Sequence, residues 1–506
     1  MRKIQSFLAD FTRLSERQSD KIAVLDSFGR SLNYRNLFDY VDKAQAFLIS
    51  HGVNHGDTVV ALLPNAIETL VFFLACLRGG YTYAPLPCTS TLVEVRQWKE
   101  LTQSHMCLIA SPVSNSVKVQ IADMEWNTLF IPIGGDFEWM GDSTSEPGIV
   151  GRLIMASSGS TGEPKAIVLD GDRLWSSALA FLRYHQIDTN DIRFWNYLPM
   201  SYLGGLFNLG LIPLAAGGSI YIDDPFSGKT FLTFWSIVER FKINSLWLVP
   251  SILRGLLTLA ERVGQAILPT CVERCYVGTA PISLQEKRKF LQVFGIEPLE
   301  NYGLSETTFI SSEHSHNLAL RREGGVGSVM PDIDVKLSEI EVDGVTMQEI
   351  LVRTPFFMLG YLDRQGVLQI PLDDNGFMRS GDYGRFSDGQ LLITGRRRDI
   401  IKKGGILIPL REIELLAEGV DGILEAAAAR VEHPFYGESF HLYILTKQPV
   451  RDEKAFLSHF SGQLHEQLVR HKWPDQIFLC SDFPRTISGK VQKHLLNARQ
   501  INYDKP

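Results

Sequence analysis

The sequence predicts an α/β protein with two unequal domains. From residue 58 onward, apolar runs typical of buried strands alternate with helical patterns, and this β-α-β order favours mixed or parallel sheets covered by helices. After Ile333 the pattern changes to short strands separated by Gly/Asp turns, which indicates a β-rich subregion. The length of 506 residues exceeds the roughly 250–300 that one hydrophobic core serves, so at least two domains are expected.

The individual elements are predicted from hydrophobic periodicity. Phe7, Phe11 and Leu14 recur at helical spacing and predict an opening helix with one buried face. Further helices are predicted to end near His51 and Arg78. The segments predicted as strands are 22–25, 31–34, 58–63, 81–86, 152–155, 194–198, 219–222, 245–249 and 274–277.

The domain boundary is predicted near Arg398. The chain becomes strongly charged after Gly395, and the mixed α/β tail beyond it has about 110 residues, enough for a small domain. We therefore predict an N-terminal domain over residues 1–396 and an α+β C-terminal domain over residues 397–506.

Composition excludes several classes of partner and location. The net charge of −7 gives no basic field for phosphate backbones, so nucleic acid is not expected as a partner. The most apolar stretch, 206–222, is interrupted by Asn208, Pro213 and three glycines, which argues against a membrane span and for buried core. Six cysteines without metal-site or disulfide spacing predict a cytoplasmic protein.

The strongest chemical signal is the segment 157–165, Ser-Ser-Gly-Ser-Thr-Gly-Glu-Pro-Lys, which directly follows a predicted strand. Its glycines let the backbone bend around an anion, its hydroxyl and amide groups donate hydrogen bonds, and Lys165 adds positive charge. A flexible linker is the alternative, but such linkers seldom follow a buried strand or end in Pro-Lys. The segment lacks the Gly-Lys-Ser/Thr of the Walker type. It is therefore predicted to bind phosphate by another arrangement.

Three later segments carry matching chemistry. In Asn-Tyr-Gly-Leu-Ser-Glu at 301–306, the ring can stack on a base and the carboxylate can hold Mg²⁺ near phosphate. In Ser-Gly-Asp-Tyr-Gly at 380–384, followed by Thr-Gly-Arg at 394–396, a carboxylate and a guanidinium can bind ribose hydroxyls. Pro-Arg-Thr-Ile-Ser-Gly-Lys at 484–490 can present one lysine to a reaction centre. Each segment alone would be an ordinary turn or a solvated tail.

Together and in this order, the four segments resemble the signature of the acyl-adenylate-forming (AMP-forming) synthetase superfamily. This superfamily includes acyl-CoA synthetases, luciferases and the adenylation domains of peptide synthetases. The resemblance covers nearly the whole chain. It implies an ATP-dependent carboxylic acid–thiol ligase that forms acyl-AMP and pyrophosphate, and then transfers the acyl group to a pantetheine thiol. It also implies a mobile C-terminal domain that rotates about a hinge.

The resemblance assigns roles to particular residues. Thr161 and Glu306 would bind Mg²⁺ and phosphate, and Lys490 would be the adenylation catalyst. Arg398 occupies the hinge position, where Asp or Lys is usual. The segment 277–281 is similar to the family's segment beside adenine, although a plain strand end with a proline stop is an equal alternative. The residues implied to bind ATP or AMP are Ser157, Ser158, Gly159, Ser160, Gly162, Lys165, Gly278, Thr279, Ala280, Asn301, Tyr302, Gly303, Ser305, Asp382 and Arg396, with Tyr302 on adenine and Asp382 and Arg396 on ribose.

The acid and the thiol are less defined. Tyr202 takes the place of a ring that often gates the carboxyl group, and Leu203 stands where amino-acid-activating members have Asp, which disfavours an α-amino acid as substrate. Plain core packing is the alternative for both residues. Gly404 and Gly405 resemble the passage for the pantetheine arm. The acceptor stays open between CoA and the phosphopantetheine of a carrier protein. An enzyme that loads only a carrier protein, and a non-catalytic nucleotide-binding scaffold, are the rival interpretations.

Overall fold

Four β-sheets with surrounding helices make up the fold in the computed structural model, which describes residues 4–111, 113–114, 117–118, 121, 126–141, 146, 148–157, 165–187, 192–263, 269–342, 345–486 and 489–499. The first sheet has nine strands. In spatial order they are β15 (Ser328–Val329), β14 (Thr308–Ser312), β13 (Pro298–Leu304), β12 (Arg274–Val277), β11 (Ser245–Leu248), β9 (Arg193–Asn196), β10 (Ser219–Ile222), β1 (Ile22–Asp26) and β2 (Ser31–Asn33). The strands from β1 to β13 in that row pair in parallel, so their carboxyl ends share one edge.

The second sheet has eight strands, of which those at one end run antiparallel to their neighbours. In spatial order they are β19 (Leu368–Gln369), β18 (Gly360–Leu362), β8 (Lys165–Asp170), β7 (Arg152–Ser157), β4 (Thr82–Pro85), β3 (Thr58–Leu62), β5 (Met106–Ile109) and β6 (Asn127–Phe130). Strands β4, β3, β5 and β6 pair in parallel, as does β4 with β7.

The later part of the chain forms two smaller sheets. The third sheet consists of β16 (Asp334–Val342), β17 (Val345–Arg353), β20 (Met378–Ser387) and β21 (Gln390–Arg396). The fourth consists of β23 (Ile406–Pro409), β22 (Ile400–Lys403), β25 (Gly437–Thr446) and β24 (Ile423–His433), with β26 (Gln476–Cys480) paired to β25. The β-rich subregion predicted after Ile333 is the third sheet, and its strands are longer than the short ones expected.

Helices cover these sheets and fill the space between the first two. Helix α3 is buried along its whole length because it packs against β1 of the first sheet and against β4 and β7 of the second. The helices are α1 (Phe7–Arg17), α2 (Tyr34–Ser50), α3 (Ile67–Gly79), α4 (Leu92–Thr102), α5 (Gly171–Tyr184), α6 (Ile212–Ala215), α7 (Gly228–Arg240), α8 (Pro250–Val263), α9 (Leu284–Phe294), α10 (Leu410–Glu418), α11 (Glu453–Gln467) and α12 (Lys493–Arg499). None of the helices in the described part of the chain is long and apolar enough to cross a bilayer.

The stretch 206–222 is buried core, as predicted. It consists of most of a π-helical segment (Gly204–Leu211), helix α6 and strand β10, and most of its side chains are buried. The six cysteines lie within the described residues and form no disulfide.

The hydrophobic core is divided near residue 396. Two clusters of buried residues draw on the chain from Phe7 to Leu391, and two others on the chain from Ile401 to Leu496. Among the described residues, no cluster combines buried side chains from both stretches. A 3₁₀ turn, Arg397–Asp399, connects the two parts.

Candidate active site

The predicted phosphate-binding segment spans the end of the hairpin formed by β7 and β8. Ser157 and Lys165 are opposite each other in this antiparallel pair, so the chain between them begins and ends at neighbouring points. The predicted residues Ser158, Gly159, Ser160, Thr161 and Gly162 lie outside the described residues. The hairpin therefore fixes where the loop starts and ends.

Lys165 and Glu306 meet through a tyrosine. Strand β18 pairs with β8, and Tyr361 on it stands opposite Ile167. The ammonium of Lys165 lies 4.9 Å from the centroid of the Tyr361 ring, and the Tyr361 hydroxyl donates a 2.7 Å hydrogen bond to Oε1 of Glu306. Burial and the neighbouring Glu306 raise the pKa of Tyr361 above its ordinary value, so the hydroxyl stays protonated and donates.

Tyr302, Asp382 and Arg396 form a second group. The Tyr302 hydroxyl donates a 2.7 Å hydrogen bond to Oδ2 of Asp382, and Nε of Arg396 lies 2.7 Å from Oδ1. Asp382 is only 2% exposed, and it stands opposite Arg396 in the pairing of β20 with β21. Burial works against the charge of Arg396, but Asp382 holds the pKa of the guanidinium above its ordinary value. Two segments that are distant in sequence thus meet at one buried carboxylate, that of Asp382.

The backbone at the carboxyl edge of the first sheet has two constrained positions. Thr279, which follows β12 and Gly278 and precedes Ala280, has a φ of +78°, a conformation costly for a β-branched residue and typical of functional loops. A Cβ at Gly303 would lie 1.9 Å from the carbonyl oxygen of Thr308, so only glycine fits there. Asn301 donates from Nδ2 to the Leu299 carbonyl at 3.1 Å. Ser305 lies in the turn between β13 and β14.

The lysine-bearing segment of the tail is a tight hairpin packed on the large first sheet. Thr486 donates from its amide to the Lys490 carbonyl, and Lys490 donates from its amide to Oγ1 of Thr486 at 3.1 Å. A Cβ at Gly489 would lie 3.1 Å from Oγ of Ser251 and 3.6 Å from the side chain of Val249. Val249 follows directly after β11 and Ser251 lies in the first turn of α8, so the hairpin sits at the carboxyl edge that also carries Gly278 and Asn301.

Tyr202 and Leu203 lie just before the π-helical segment and pack, partly buried, on the main core. Burial and Glu94 raise the pKa of Tyr202, which keeps its hydroxyl neutral. A group of buried rings belongs to the same core cluster: Phe181, Phe207, Trp247, Tyr276 and Phe309. The indole nitrogen of Trp247 is buried without a hydrogen-bond partner and lies 3.7 Å from where a Cβ at Gly278 would stand.

Gly404 and Gly405 belong to the fourth sheet rather than to the first. They form the turn between β22 and β23, where φ values of +58° and +86° favour glycine. Gly405 lines a cleft of about 800 Å³ between the third and fourth sheets, together with Glu341 and Arg430. The backbone of Arg398 lies in the 3₁₀ turn that connects these sheets.

Comparison with known proteins decides the family. The profile of the family described as AMP-binding enzyme matches residues 11–362, well over half of the chain. The chain belongs to the AMP-binding enzyme family. This confirms the family predicted from the four segments, and with it the predicted fold and the enzyme class, an AMP-forming acid–thiol ligase.

Several relatives of this AMP-binding enzyme are named as ligases. A sulfoacetate–CoA ligase of Cupriavidus necator is 28% identical over 468 residues, covering 88% of each chain. A fatty acid–[acyl-carrier-protein] ligase of Mycobacterium marinum is 26% identical over 96% of each chain. The ATP-bound crystal structure of MatB from Rhodopseudomonas palustris superposes with a TM-score of 0.84 at 25% identity, covering 98% of this chain and 99% of MatB. The apo form of the same MatB gives a lower TM-score of 0.74.

Sequence reasoning missed several residues of the AMP-binding enzyme that contact the predicted ones. Tyr361 bridges Lys165 and Glu306, yet it follows an ordinary Leu-Gly pair and carries no motif signal. In the sequence Trp247 is one apolar residue of a predicted strand. Its unpaired N–H is recognised only in the folded chain. In the described residues, no three His, Cys, Asp or Glu side chains gather to hold a metal by themselves.

In this AMP-binding enzyme His185 is buried beside Ser312 and His314. Its Nε2 lies 3.0 Å from Oγ of Ser312, and its ring stacks parallel to that of His314 at 5.9 Å. Burial, with a smaller contribution from His314, lowers the pKa of His185 from 6.5 to about 3. Between these values the unfolded chain binds a proton that the folded chain does not, so stability falls as pH falls through this window.

We expect His185→Gln to flatten the acid branch of the stability curve. A difference of one bound proton gives the free energy of unfolding a slope of about 1.4 kcal/mol per pH unit. Between pH 6.5 and pH 4 the variant should lower the slope by up to that value. Urea unfolding across this range measures it. His459, an exposed residue of α11, provides the matched control His459→Gln, which should keep the original slope. An unchanged slope in His185→Gln would contradict the assignment.

Proposed function

We propose that the protein activates a carboxylic acid with ATP as an acyl-adenylate and passes the acyl group to a pantetheine thiol. The observation that carries the proposal is the meeting of four motifs at the carboxyl edge of the first sheet. Lys165 and Glu306 share Tyr361, Tyr302 and Arg396 share Asp382, and the Lys490 hairpin packs on the chain after β11.

The nucleotide would be bound by groups that are already oriented. Asp382 has carboxylate oxygens that accept from Arg396 and Tyr302, and ribose hydroxyls can donate to the remaining lone pairs. Gly278 and Thr279 offer a backbone against which a flat base can lie, with the Tyr302 ring as its other neighbour. The hairpin loop between Ser157 and Lys165, including Thr161, would surround the phosphates.

Mg²⁺ fits the donor set. Magnesium is usually held by one or two carboxylates together with phosphate oxygens and water, and Glu306 can supply such a carboxylate. In the described part of the chain no three His, Cys, Asp or Glu side chains gather into a protein cage. Glu306 accepts one hydrogen bond from Tyr361 at Oε1, which orients the carboxylate and leaves lone pairs for a cation. Thr161 would add a hydroxyl oxygen. When bound, the ion would neutralise the charge that develops on the phosphates.

The chemistry would proceed in two steps. First, a carboxylate oxygen of the acid attacks the α-phosphorus of ATP, the bond to the β-phosphate bridge breaks, and pyrophosphate leaves. Lys165 and Lys490 supply positive charge where negative charge builds up. Second, the thiol sulfur attacks the acyl carbon, its proton is lost, and AMP leaves with the oxygen that came from the acid.

The acid would lie beside Tyr202, Leu203 and the ring cluster. These side chains carry no anion to pair with an ammonium group, so an aliphatic or aryl acid without a cation suits them better than an α-amino acid. The unpaired N–H of Trp247 favours an acid with a hydrogen-bond acceptor on its distal part, because an unsatisfied buried donor is costly.

The thiol step would need a different arrangement of the C-terminal domain, residues 397–506. Gly405 lines the cleft between the third and fourth sheets and Gly404 precedes it in the same turn, so a rotation at the turn holding Arg398 would have to bring them to the adenylate. The higher TM-score against ATP-bound than against apo MatB supports an adenylating arrangement here. CoA and a carrier protein both present a pantetheine thiol. A carrier protein stays a candidate acceptor because the Mycobacterium marinum relative is named as an acyl-carrier-protein ligase.

Pyrophosphate release tests the proposal. The full chain is incubated with ATP, Mg²⁺ and a panel of aliphatic, aryl and acceptor-bearing acids, and the panel is repeated with α-amino acids. We expect acid-dependent release with at least one member of the first panel and much less with the second. Addition of CoA or a phosphopantetheinylated carrier, followed by mass analysis, identifies the acceptor. Silence across the panel with tight ATP binding would favour the scaffold interpretation instead.

A further inference from the structure

A buried cluster of charges joins helix α8 to the C-terminal part of the chain. Arg254 on α8 is 7% exposed. Its guanidinium lies 2.5 Å from Glu286, 3.0 Å from Glu425 and 3.7 Å from Glu418. Glu286 belongs to the N-terminal part, whereas Glu418 ends α10 and Glu425 lies on β24. One guanidinium therefore bridges the two proposed domains.

The cluster continues to the hairpin that carries Lys490. Arg485 forms an ion pair with Glu425, and its Nη1 also donates to the Gly489 carbonyl at 3.2 Å. Gly489 is the residue directly before Lys490, and it packs on Ser251, three residues before Arg254. A continuous path of charged contacts runs from α8 through Glu425 and Arg485 to the backbone beside the lysine.

We propose that Arg254 is a positioning residue for the adenylation step, which acts through Glu425 and Arg485 to dock the Lys490 hairpin against the first sheet. This inference rests on the proposed function, since it needs Lys490 to serve adenylation. Arg254 touches neither nucleotide nor acid in this account. Its contribution is to the population of the arrangement in which Lys490 faces the site.

The cluster is built so that the two sides can separate. Glu286 closes the capping box of α9 by accepting from the amide and hydroxyl of Ser283, so Arg254 keeps one fixed partner when the other domain leaves. On the opposite side Glu425 retains Arg485, and Glu418 retains Arg411 at 3.2 Å. No carboxylate is left buried and unpaired by the rotation, which avoids the main cost of breaking a buried ion pair. The contact can therefore form and break without stranding a buried charge.

The test separates the two half-reactions in the full chain. Arg254→Met keeps the length of the side chain and removes its charge. We expect acid-dependent ATP–pyrophosphate exchange to fall by about 10- to 30-fold, and thioester formation from supplied acyl-AMP to stay within about twofold. Glu425→Gln should give the same split, and the double variant should be no slower than the slower single variant, because both act on one contact.

Arg30→Met is the matched control. Arg30 is also largely buried and pairs with two carboxylates, Asp26 and Glu68, but all three lie in the N-terminal part, away from the Lys490 hairpin. It should affect both half-reactions equally or not at all. Equal losses in both half-reactions for Arg254→Met, unchanged exchange, or a double variant that multiplies the single effects would each overturn the positioning role.

Hydrogen exchange gives a readout that does not need the acid. The amides of Gly489 and Lys490 are hydrogen-bonded within the hairpin, and the hairpin is covered by Ser251. In Arg254→Met we expect these amides to exchange about threefold faster or more, with no change in Arg30→Met. Unchanged hydrogen exchange of these two amides in Arg254→Met would contradict docking by Arg254. Absent ATP–pyrophosphate exchange in the unaltered protein, with faster amide exchange in Arg254→Met, would instead refute the proposed function and leave the docking contact intact.

Discussion

Lys490→Ala should strongly slow acyl-AMP formation while sparing the second half-reaction. The ammonium is expected to stabilise charge on the α-phosphate only while pyrophosphate leaves, so its removal should lower ATP–pyrophosphate exchange by about 100- to 1,000-fold, the range for losing one preorganised electrostatic contact. Thioester formation from supplied acyl-AMP should keep its rate, because AMP is by then a good leaving group and, in the proposed rotation, the C-terminal domain would carry Lys490 away from the site. Stopped assays of each half-reaction measure both rates.

The control for this variant is Lys447→Ala. Lys447 also lies in the C-terminal part, and its ammonium pairs only loosely with the exposed Asp421 at 3.9 Å. Both half-reactions should be unchanged in it. If Lys490→Ala slowed exchange and thioester formation to the same extent, the lysine would be serving the fold or both steps rather than adenylation.

Asp382→Asn should weaken ATP binding by about 30- to 100-fold. Asp382 is buried between Arg396 and Tyr302, and its charge is expected to anchor the ribose through charge-assisted hydrogen bonds worth about 1.5–3 kcal/mol each. The KM for the acid should change little, since the acid is held by other residues. Titration with ATP in the absence of acid measures binding without turnover.

Tyr302→Phe serves as the matched control for Asp382. It removes only the hydroxyl that donates to Asp382 and keeps both the ring and the carboxylate that is expected to hold the ribose, so we expect a loss of ATP affinity below about tenfold. Equal losses of affinity in the two variants would indicate that the hydroxyl, rather than the carboxylate, is the important group, and would contradict the ribose assignment.

Much of the parallel core was predictable because its strands are short, continuous apolar runs. Strands Ser219–Ile222 and Arg274–Val277 have the bounds that hydrophobicity alone predicts. Their burial on both faces leaves little room for polar residues, so the pattern is unambiguous. The antiparallel direction of β7 and β8 was not predictable in the same way, since the intervening segment of the hairpin carries a phosphate-loop composition rather than a turn signature.

The motifs of the candidate site were predictable, but their partners were not. Glu306, Asp382 and Lys490 stand in segments whose composition is unusual. The contacts of Tyr361 with Lys165 and Glu306 depend on the pairing of β18 with β8, almost 200 residues apart in sequence. The same holds for Arg254 and Glu425, since a charged residue on an amphipathic helix normally indicates a solvated face. Such contacts depend on which distant residues become buried together, and the local sequence does not contain that information.

Oxygen transfer from the acid to AMP tests the central claim most directly. An acid that supports pyrophosphate release is labelled with ¹⁸O in both carboxyl oxygens, and AMP is collected after complete turnover in the presence of the thiol acceptor. If the chain forms an acyl-adenylate, the bridging oxygen comes from the acid, so AMP should carry one ¹⁸O atom. Unlabelled AMP, or ADP as the product, would contradict the account.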